Sequence, residues 1–460
     1  MGRVFFCIIL ALLVTTSPNS VHANMLEVFG SSSRSQGMGG VGVATANDFS
    51  ALFYNPARLM KVPTAFSLEF QHAYADLSVL LMPRPAGYDP QYYGYLLNPR
   101  EDTLSLPSMW GVTVGTTFDF GSDIISAGFL VFVPASGVGN QVSRYANEKE
   151  QFFSNRVGFE LIGERLQTQN IMSSLALRAT DWLQLGVGFS FATASNSSTM
   201  VYTPNPANPS SVDMNLSVEQ DSRLSLMAGV NVDFAPGFTA GLSLRDEHAY
   251  TMSGVNVVQL HGLEGKDSYV MEQPMEFTLH FSPRTYSAGL GYEGEKLTLA
   301  VDGSYLSWSG YLNAAGQNAG FSDSIDVGAG AEGAIGKLKT RVGARYTPSP
   351  VPEQTGRSNY ADNDRIVVAS GVGGNVDVFG NDIGVDLHVQ LLLLPERTHH
   401  KDAADSFESC ETDTSSLCDE APDSPGLQTG NPGFPGFTSG GFILAGGVTL
   451  SWLFGNEGEE

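Results

Sequence analysis

Charge is scarce in this chain of 460 residues. Asp, Glu, Lys and Arg together make up 16% of it, and the balance is acidic: 48 Asp and Glu against 24 Lys and Arg, a formal net charge of −24. An acidic surface repels phosphates, so nucleic acid is not an expected partner. Cysteine is nearly absent. Cys7 falls in the N-terminal leader, which leaves Cys410 and Cys418. Two thiols in an exported chain point to a disulfide between them. Their spacing with His399 and His400 matches no familiar closed zinc site, so no metal is expected. Nowhere is there an apolar run of about 20 residues, the length a membrane-crossing helix needs. The apolar stretch at 4–14 follows Arg3 and precedes Val21-His22-Ala23. That is the pattern of a cleaved export signal over residues 1–23. A membrane location would therefore require strands.

What the chain has in quantity is glycine, 52 residues, and apolar residues at every second position. Alternation with period two is the strand signal. The last strand shows it plainly. Phe442, Leu444, Val448, Leu450, Trp452 and Phe454 fall on one face; Gly441, Ala445, Gly447, Thr449 and Ser451 fall on the other. Leu183–Leu185–Val187–Phe189 and Leu387–Val389–Leu391 repeat the division. A soluble sandwich would place its bulky faces in a shared core and its charges outside. Here the opposite faces carry mostly Gly, Ala and Ser. That division suits a wall with lipid on one side and a filled lumen on the other.

The alternation gives strand windows at 64–81, 108–120, 123–134, 167–179, 182–194, 221–234, 237–256, 274–292, 296–309, 323–335, 338–348, 364–378, 382–394 and 438–454. The gaps between them alternate between short and long, the asymmetry of periplasmic turns and outer loops. The fold expected is all-β: a 14-stranded antiparallel transmembrane barrel over 64–454. Its longest loop, 395–437, is acidic, and an acidic tail follows at 455–460.

One stretch lacks the alternation. Residues 37–59, GMGGVGVATANDFSALFYNPARL, are rich in glycine and alanine. Glycine has no Cβ and lets backbone pack closely on a wall. Residues 24–63 are therefore read as a plug, or hatch, inside the lumen. Asn55-Pro56-Ala57 are its candidate gate contact, because proline fixes the backbone while Asn55 can bond it to the wall. Gly37, Gly39 and Gly42 also match a dinucleotide fingerprint. That reading needs a βαβ unit around it, and none is predicted.

Four features together resemble the FadL/TodX type of outer-membrane transporters: the 37–59 stretch, LTLAVDGSYLSWSGY at 297–311, TRVGARYTPSPVPEQTGRSNYADNDRIVVASGVGG at 340–374, and the strand and long-loop layout. The resemblance implies a 14-stranded barrel closed by an N-terminal hatch. It also implies capture of a fatty acid or other hydrophobic molecule at outer loops, passage into the barrel and sideways exit to membrane lipid. Such barrels commonly end on an aromatic residue that the barrel assembly machinery reads. Here Phe454 is followed by six further residues.

Candidate ligand contacts follow. In the third window Phe129, Leu130 and Phe132 make both faces apolar, and Gly128 is read as a strand kink that opens a seam; packing against the hatch is the other reading. Phe159, Leu161 and Ile162 lie in an outer loop, either as a greasy groove or as a cap packed on its neighbour. Arg223, Arg245 and Arg345 fall on the lumen face, where guanidinium groups suit a carboxylate head group. Glu69, Asp302, Asp326, Glu332 and Asp386 share that lumen and compete for them. No nucleophile or paired-carboxylate motif has a persuasive context, so neither an enzyme nor a cofactor is expected. The ligand is either a fatty acid or an aromatic hydrocarbon, and the chain is read as a monomer. A different reading, an adhesion or assembly barrel, would rest on the 395–437 loop.

Overall fold

The computed structural model describes residues 25–83, 101–104, 109–121, 123–134, 157–159, 161–162, 169–191, 196–204, 211–220, 224–261, 268–312, 318–356, 358–378, 381–406, 431 and 433–454. Arg223, Cys410, Cys418, the leader and the 455–460 tail lie outside them.

Fourteen strands form the barrel: β1 Ala65–Leu81, β2 Met109–Phe118, β3 Ile125–Pro134, β4 Asn170–Thr180, β5 Leu183–Phe191, β6 Leu224–Ala235 and β7 Phe238–Arg245. The second half comprises β8 Thr285–Glu293, β9 Leu297–Leu306, β10 Ser324–Ile335, β11 Leu338–Thr347, β12 Arg365–Val378, β13 Asn381–His400 and β14 Gly436–Leu453. Sequential neighbours pair antiparallel, and β1 pairs with both β2 and β14, which closes the ring. The closing ladder runs from Ala65 opposite Leu453 to Leu81 opposite Phe437. A short segment, Glu101–Leu104, pairs with Leu77–Leu80 above β2.

The outward face is apolar. Leu68, Phe70 and Tyr74 on β1, Val187 and Phe189 on β5, and Leu387, Val389 and Leu391 on β13 are exposed. Their neighbours Glu69, Gln71, Ser190, His388 and Gln390 point inward and are buried. Aromatic groups collect at both ends of this belt. Phe66 meets Trp452, and Phe234, Phe238 and Tyr292 cluster at the turn end; Tyr286 meets Tyr305 at the loop end. A continuous apolar belt between aromatic girdles is a lipid-facing surface. In a closed ring every strand has two neighbours, so no edge is left unbonded in hydrocarbon.

Three stretches differ from expectation. Residues 195–220 and 257–273 were expected as loops. Instead, Asn196–Pro204, Ser211–Gln220, His248–His261 and Ser268–Ser282 form a second antiparallel sheet in the order of β5, β6, β7 and β8 beneath it. The wall is therefore taller on that side. Val212, Met214, Leu216 and Val218 do alternate, but the prolines between the two windows read as loop. The expected windows 237–256 and 274–292 are each split between a barrel strand and a strand of this sheet. The third difference is β13, which runs to His400 past an irregularity between Leu394 and Arg397. Pro395 has no N–H for the ladder, and the chain passes it with a bulge.

Residues 25–63 lie inside the ring. They form three short helices, α1 Met25–Phe29, α2 Ser33–Gly37 and α3 Ala51–Tyr54, and a 3-10 turn, Pro56–Lys61. Asn55 starts that turn: its side-chain oxygen accepts from the Ala57 N–H at 3.1 Å. Pro56 takes the first position, where no donor is needed. The wall makes room with glycine. A Cβ on Gly343 or Gly330 would overlap Met38 backbone, and one on Gly186 would overlap Pro56 and Ala57 backbone. From the other side Gly39, at φ +78°, would place a Cβ 2.7 Å from the Ala344 nitrogen.

Candidate functional site

Toward the turn end, ion pairs and backbone bonds tie the inner segment to the wall. Arg34 Nε lies 3.0 Å and Arg341 Nε 2.5 Å from the same Glu332 oxygen, and Arg341 also reaches Asp386 at 2.5 Å. Arg58 pairs with Glu293 at 2.7 Å and donates to the Ala46 carbonyl. Lys61 pairs with Asp233 at 2.7 Å. Asp302 accepts from the backbone N–H groups of Gly42 and Val43 at 2.6 and 3.0 Å. Glu69 takes the Ser32 N–H and the Gln36 amide, both at 3.2 Å. These acids meet arginines or backbone donors, so each of these charges has a partner.

The loop end is different. There a cavity of about 160 Å³ lies between the inner segment and the tops of the strands. Leu26, Phe29 and Phe53 line it from inside, Leu392 and Val367 from the wall, and Leu161, Phe281 and Trp308 from above. Over it sits an aromatic cap in which Tyr311 stacks on Phe321 at 4.2 Å, with Tyr360 edge-on to both. Trp308 and Tyr311 come from the Ser-Trp-Ser stretch. Three guanidinium groups border the cavity: Arg245, Arg345 and Arg365.

Arg345 is engaged. It pairs with Asp326 at 2.9 Å and donates to the Gly39 and Gly40 carbonyls at 3.2 and 2.7 Å. Arg245 lies over the Phe53 ring, 4.5 Å from its centroid. The Nε atoms of Arg245 and Arg365 are buried without a hydrogen-bond partner, and no carboxylate among the described residues pairs with either. The acid that faces both is Glu27 on α1, whose carboxyl accepts from the Ser282 hydroxyl. Burial raises the Glu27 pKa above the ordinary carboxylate range; Arg245, the Ser282 bond and Arg365 pull the other way.

The remaining candidates fall as follows. Leu130 and Phe132 point inward, are fully buried and belong to the core that includes Leu52, Leu59 and Phe49. Phe129 points outward and is 36% exposed. The expected kink at Gly128 has no counterpart in the ladder. Gly128 pairs with Thr117 and Ser174, and neither register shifts there. The missing side chain instead lets Leu59 and Leu52 approach, because a Cβ would sit 3.0 and 3.1 Å from their methyls. Phe159 and Ile162 are buried in the same core, and Leu161 joins the aromatic cap. Gly158–Phe159 pairs parallel with Tyr360–Ala361, so these two segments lie side by side. Asn55 donates to the carbonyls of Val43 at 2.8 Å and Val230 at 3.1 Å, joining the inner segment to β6. Pro56 and Ala57 are buried beside it. Arg365 and Glu27 were not foreseen. Arg365 ends the Asp-Asn-Asp-Arg run already quoted, but its inward direction depends on where β12 begins.

No family model and no curated protein matches the chain. Solved structures do. A FadL homologue from Pseudomonas aeruginosa superposes with a TM-score of 0.61 at 16% identity, over 95% of this chain and 100% of that one. The P. putida toluene transporter TodX superposes with a TM-score of 0.52 at 13% identity, over 92% and 98%. A TodX variant described as a monoaromatic hydrocarbon channel gives 0.55 at 13% identity, over 92% and 99%. The closed fourteen-strand ring and these superpositions make this chain, in its fold, a barrel of the FadL/TodX type.

Proposed function

We propose that this protein is a passive outer-membrane channel for hydrophobic molecules, with long-chain fatty acids as its cargo. The observation that carries the reading is the cavity beneath the aromatic cap, where Leu26, Phe29, Phe53, Val367 and Leu392 give an apolar part beside a polar one, bordered by two arginines with no ion-paired carboxylate among the described residues. An alkyl chain entering it leaves water, worth about 0.8 kcal/mol per buried CH₂. A carboxylate head group would meet Arg245, which suits it geometrically and electrically. Residues 25–63 serve as the hatch below the cavity, with Asn55-Pro56-Ala57 as its contact to β6. Capture begins at the outer loops that carry Phe159, Leu161 and Trp308. Exit runs sideways beside β3, where Leu52 and Leu59 lie closest behind Gly128. Removal of residues 1–23 by export and insertion by the barrel assembly machinery complete the picture.

Uptake of an aromatic hydrocarbon is the second reading, because TodX, a toluene transporter, shares the fold. A deletion strain tested for growth on oleate and on toluene separates the two. Slow growth on oleate alone, restored by the intact gene, supports the fatty-acid reading. Loss on toluene alone moves the cargo to hydrocarbons, and normal growth on both removes the proposal.

A further inference from the structure

We infer that His399 is a proton-operated catch on the outer segment that covers the cavity. A proton on its ring exchanges one hydrogen-bond partner for another and loosens residues 349–356. The catch itself stands on the geometry of the outer rim; only its consequence for cargo rests on the channel reading above.

The segment between β11 and β12 supplies Val351 and Tyr360 to the aromatic cap over the cavity. Three side chains at alternate positions fasten it, two near the end of β13 and one just beyond. Arg397 donates to the Val351 carbonyl at 2.9 Å. Lys401 donates to the Gly356 and Ser358 carbonyls, both at 2.6 Å. Between them the fully buried His399 does the reverse: its Nδ1 accepts from the Gln354 N–H at 3.2 Å.

The same Nδ1 lies 3.1 Å from the Glu353 carboxylate. One ring nitrogen therefore faces a donor and an acceptor, and it cannot serve both. Without a proton, Nδ1 holds the Gln354 N–H. With one, it donates to Glu353 and meets the Gln354 N–H as donor against donor. The other ring nitrogen, Nε2, is buried with no hydrogen-bond partner among the described residues, so it offers no compensation.

The charged groups that face the ring are Glu353 from the covering segment and Arg397 and Lys401 from its own strand. From β14 it meets the uncharged Phe437 ring, at 4.9 Å. A protonated His399 is thus a third cation in a row, and the Glu353 side chain opposite is 51% exposed. Burial, then Arg397, lowers the His399 pKa from the ordinary histidine range; Glu353 opposes them and Lys401 adds to them. The closed value lies below the open one, so between the two the open form binds more protons. Closure weakens as pH falls below about 6.5, the ordinary histidine value. On the channel reading, acid outside the cell then speeds entry to the cavity.

The test uses the full mature chain folded in neutral detergent between pH 6.5 and 5. Hydrogen-exchange protection factors at 353–356, corrected for the intrinsic rate, should fall with pH, by up to about tenfold per unit, the slope of a single proton. His399→Gln keeps an acceptor for the Gln354 N–H but does not titrate, and its protection should stay level. Glu353→Gln should deepen the loss, because the protonated ring then has no carboxylate while the segment is closed. Level protection in the unchanged protein overturns the inference, as does a fall that persists in the His399 variant. A loss no deeper in the Glu353 variant overturns the exchange of partners. The consequence for cargo is read with the methyl ester of cis-parinaric acid, a fluorescent probe with no acid group of its own. Its binding should be faster at pH 5 than at pH 6.5, and equally fast at both in the His399 variant. If protection falls as expected while the probe fails to bind at either pH, the channel reading fails and the catch stands.

Discussion

The two ends of the lumen are built from the same residue types and put them to opposite use. At the turn end, Arg34, Arg341, Glu332 and Asp386 form one buried network, and the hatch backbone lies against wall glycines. At the loop end, Arg245 and Arg365 face a cavity, and no carboxylate among the described residues forms an ion pair with either. Buried charge costs free energy unless it is paired. On the proposed reading, the first end anchors the inner segment and the second binds the cargo.

The comparison is broken most severely at the anchored end. Gly343→Val would drive a side chain into Met38 backbone, which has no rotamer by which to move aside. The hatch should fail to seat. The outcome expected is either loss of the compact gel species that heating shifts, or a folded ring that conducts ions in a planar bilayer. A folded and non-conducting variant would contradict the close packing. Arg341→Leu leaves Asp386 without its pair and Glu332 with one partner instead of two. Removing one member of a buried pair typically costs about 3–5 kcal/mol. Urea unfolding in detergent should show that loss, while oleate binding to the folded fraction stays near normal. If binding falls as far as stability does, the two ends are not separate.

Gly128→Leu tests the boundary between them. Leu59 and Leu52 would have to move, and overpacking costs about 1–3 kcal/mol. The barrel should still assemble and uptake should drop. Undiminished uptake would remove β3 from the exit route.

The smallest effect concerns the outer loop. Lys401 donates to the Gly356 and Ser358 carbonyls, both at 2.6 Å, and holds that loop down. Burial lowers its pKa to about 7, with Glu353 opposing. The folded value lies below the unfolded one, so between the two the open form binds more protons. Closure should therefore strengthen as pH rises from about 7 toward the ordinary lysine range. Hydrogen-exchange protection factors at 353–356, corrected for the base-catalysed intrinsic rate, should rise over that range, and Lys401→Met should abolish the dependence.

Much of the wall was legible in the sequence because lipid makes every outward position count. Phe189 and Leu387 announce their face by size alone, and Gly186 and Gly188 announce the other by its lack. Above the rim water replaces lipid, the alternation has less to contrast with, and the second sheet was missed. The inner segment was legible as an interruption, but its contacts were not. Arg34 and Glu332 are 298 positions apart, and nothing local in either tells of the other. Gly128 was noticed for the right reason, an absent side chain in a strand, and of its two readings packing against the inner segment is the one that Leu52 and Leu59 match. The space serves Leu52 and Leu59, not a bend. Arg365 and Glu27 matter only through a cavity that β7, β12 and α1 enclose together.

The glycines of the wall carry one more implication. At Gly186, Gly229, Gly241, Gly330 and Gly343 the hatch main chain or Asn55 occupies the room of the missing methyl. The path of the hatch is thus recorded a second time, in relief, on five strands that follow it in the chain. A hatch borrowed from another barrel would have to trace that same path to fit. Changes in either part should therefore be tolerated singly only where the two do not touch, and elsewhere only when cast and mould alter together.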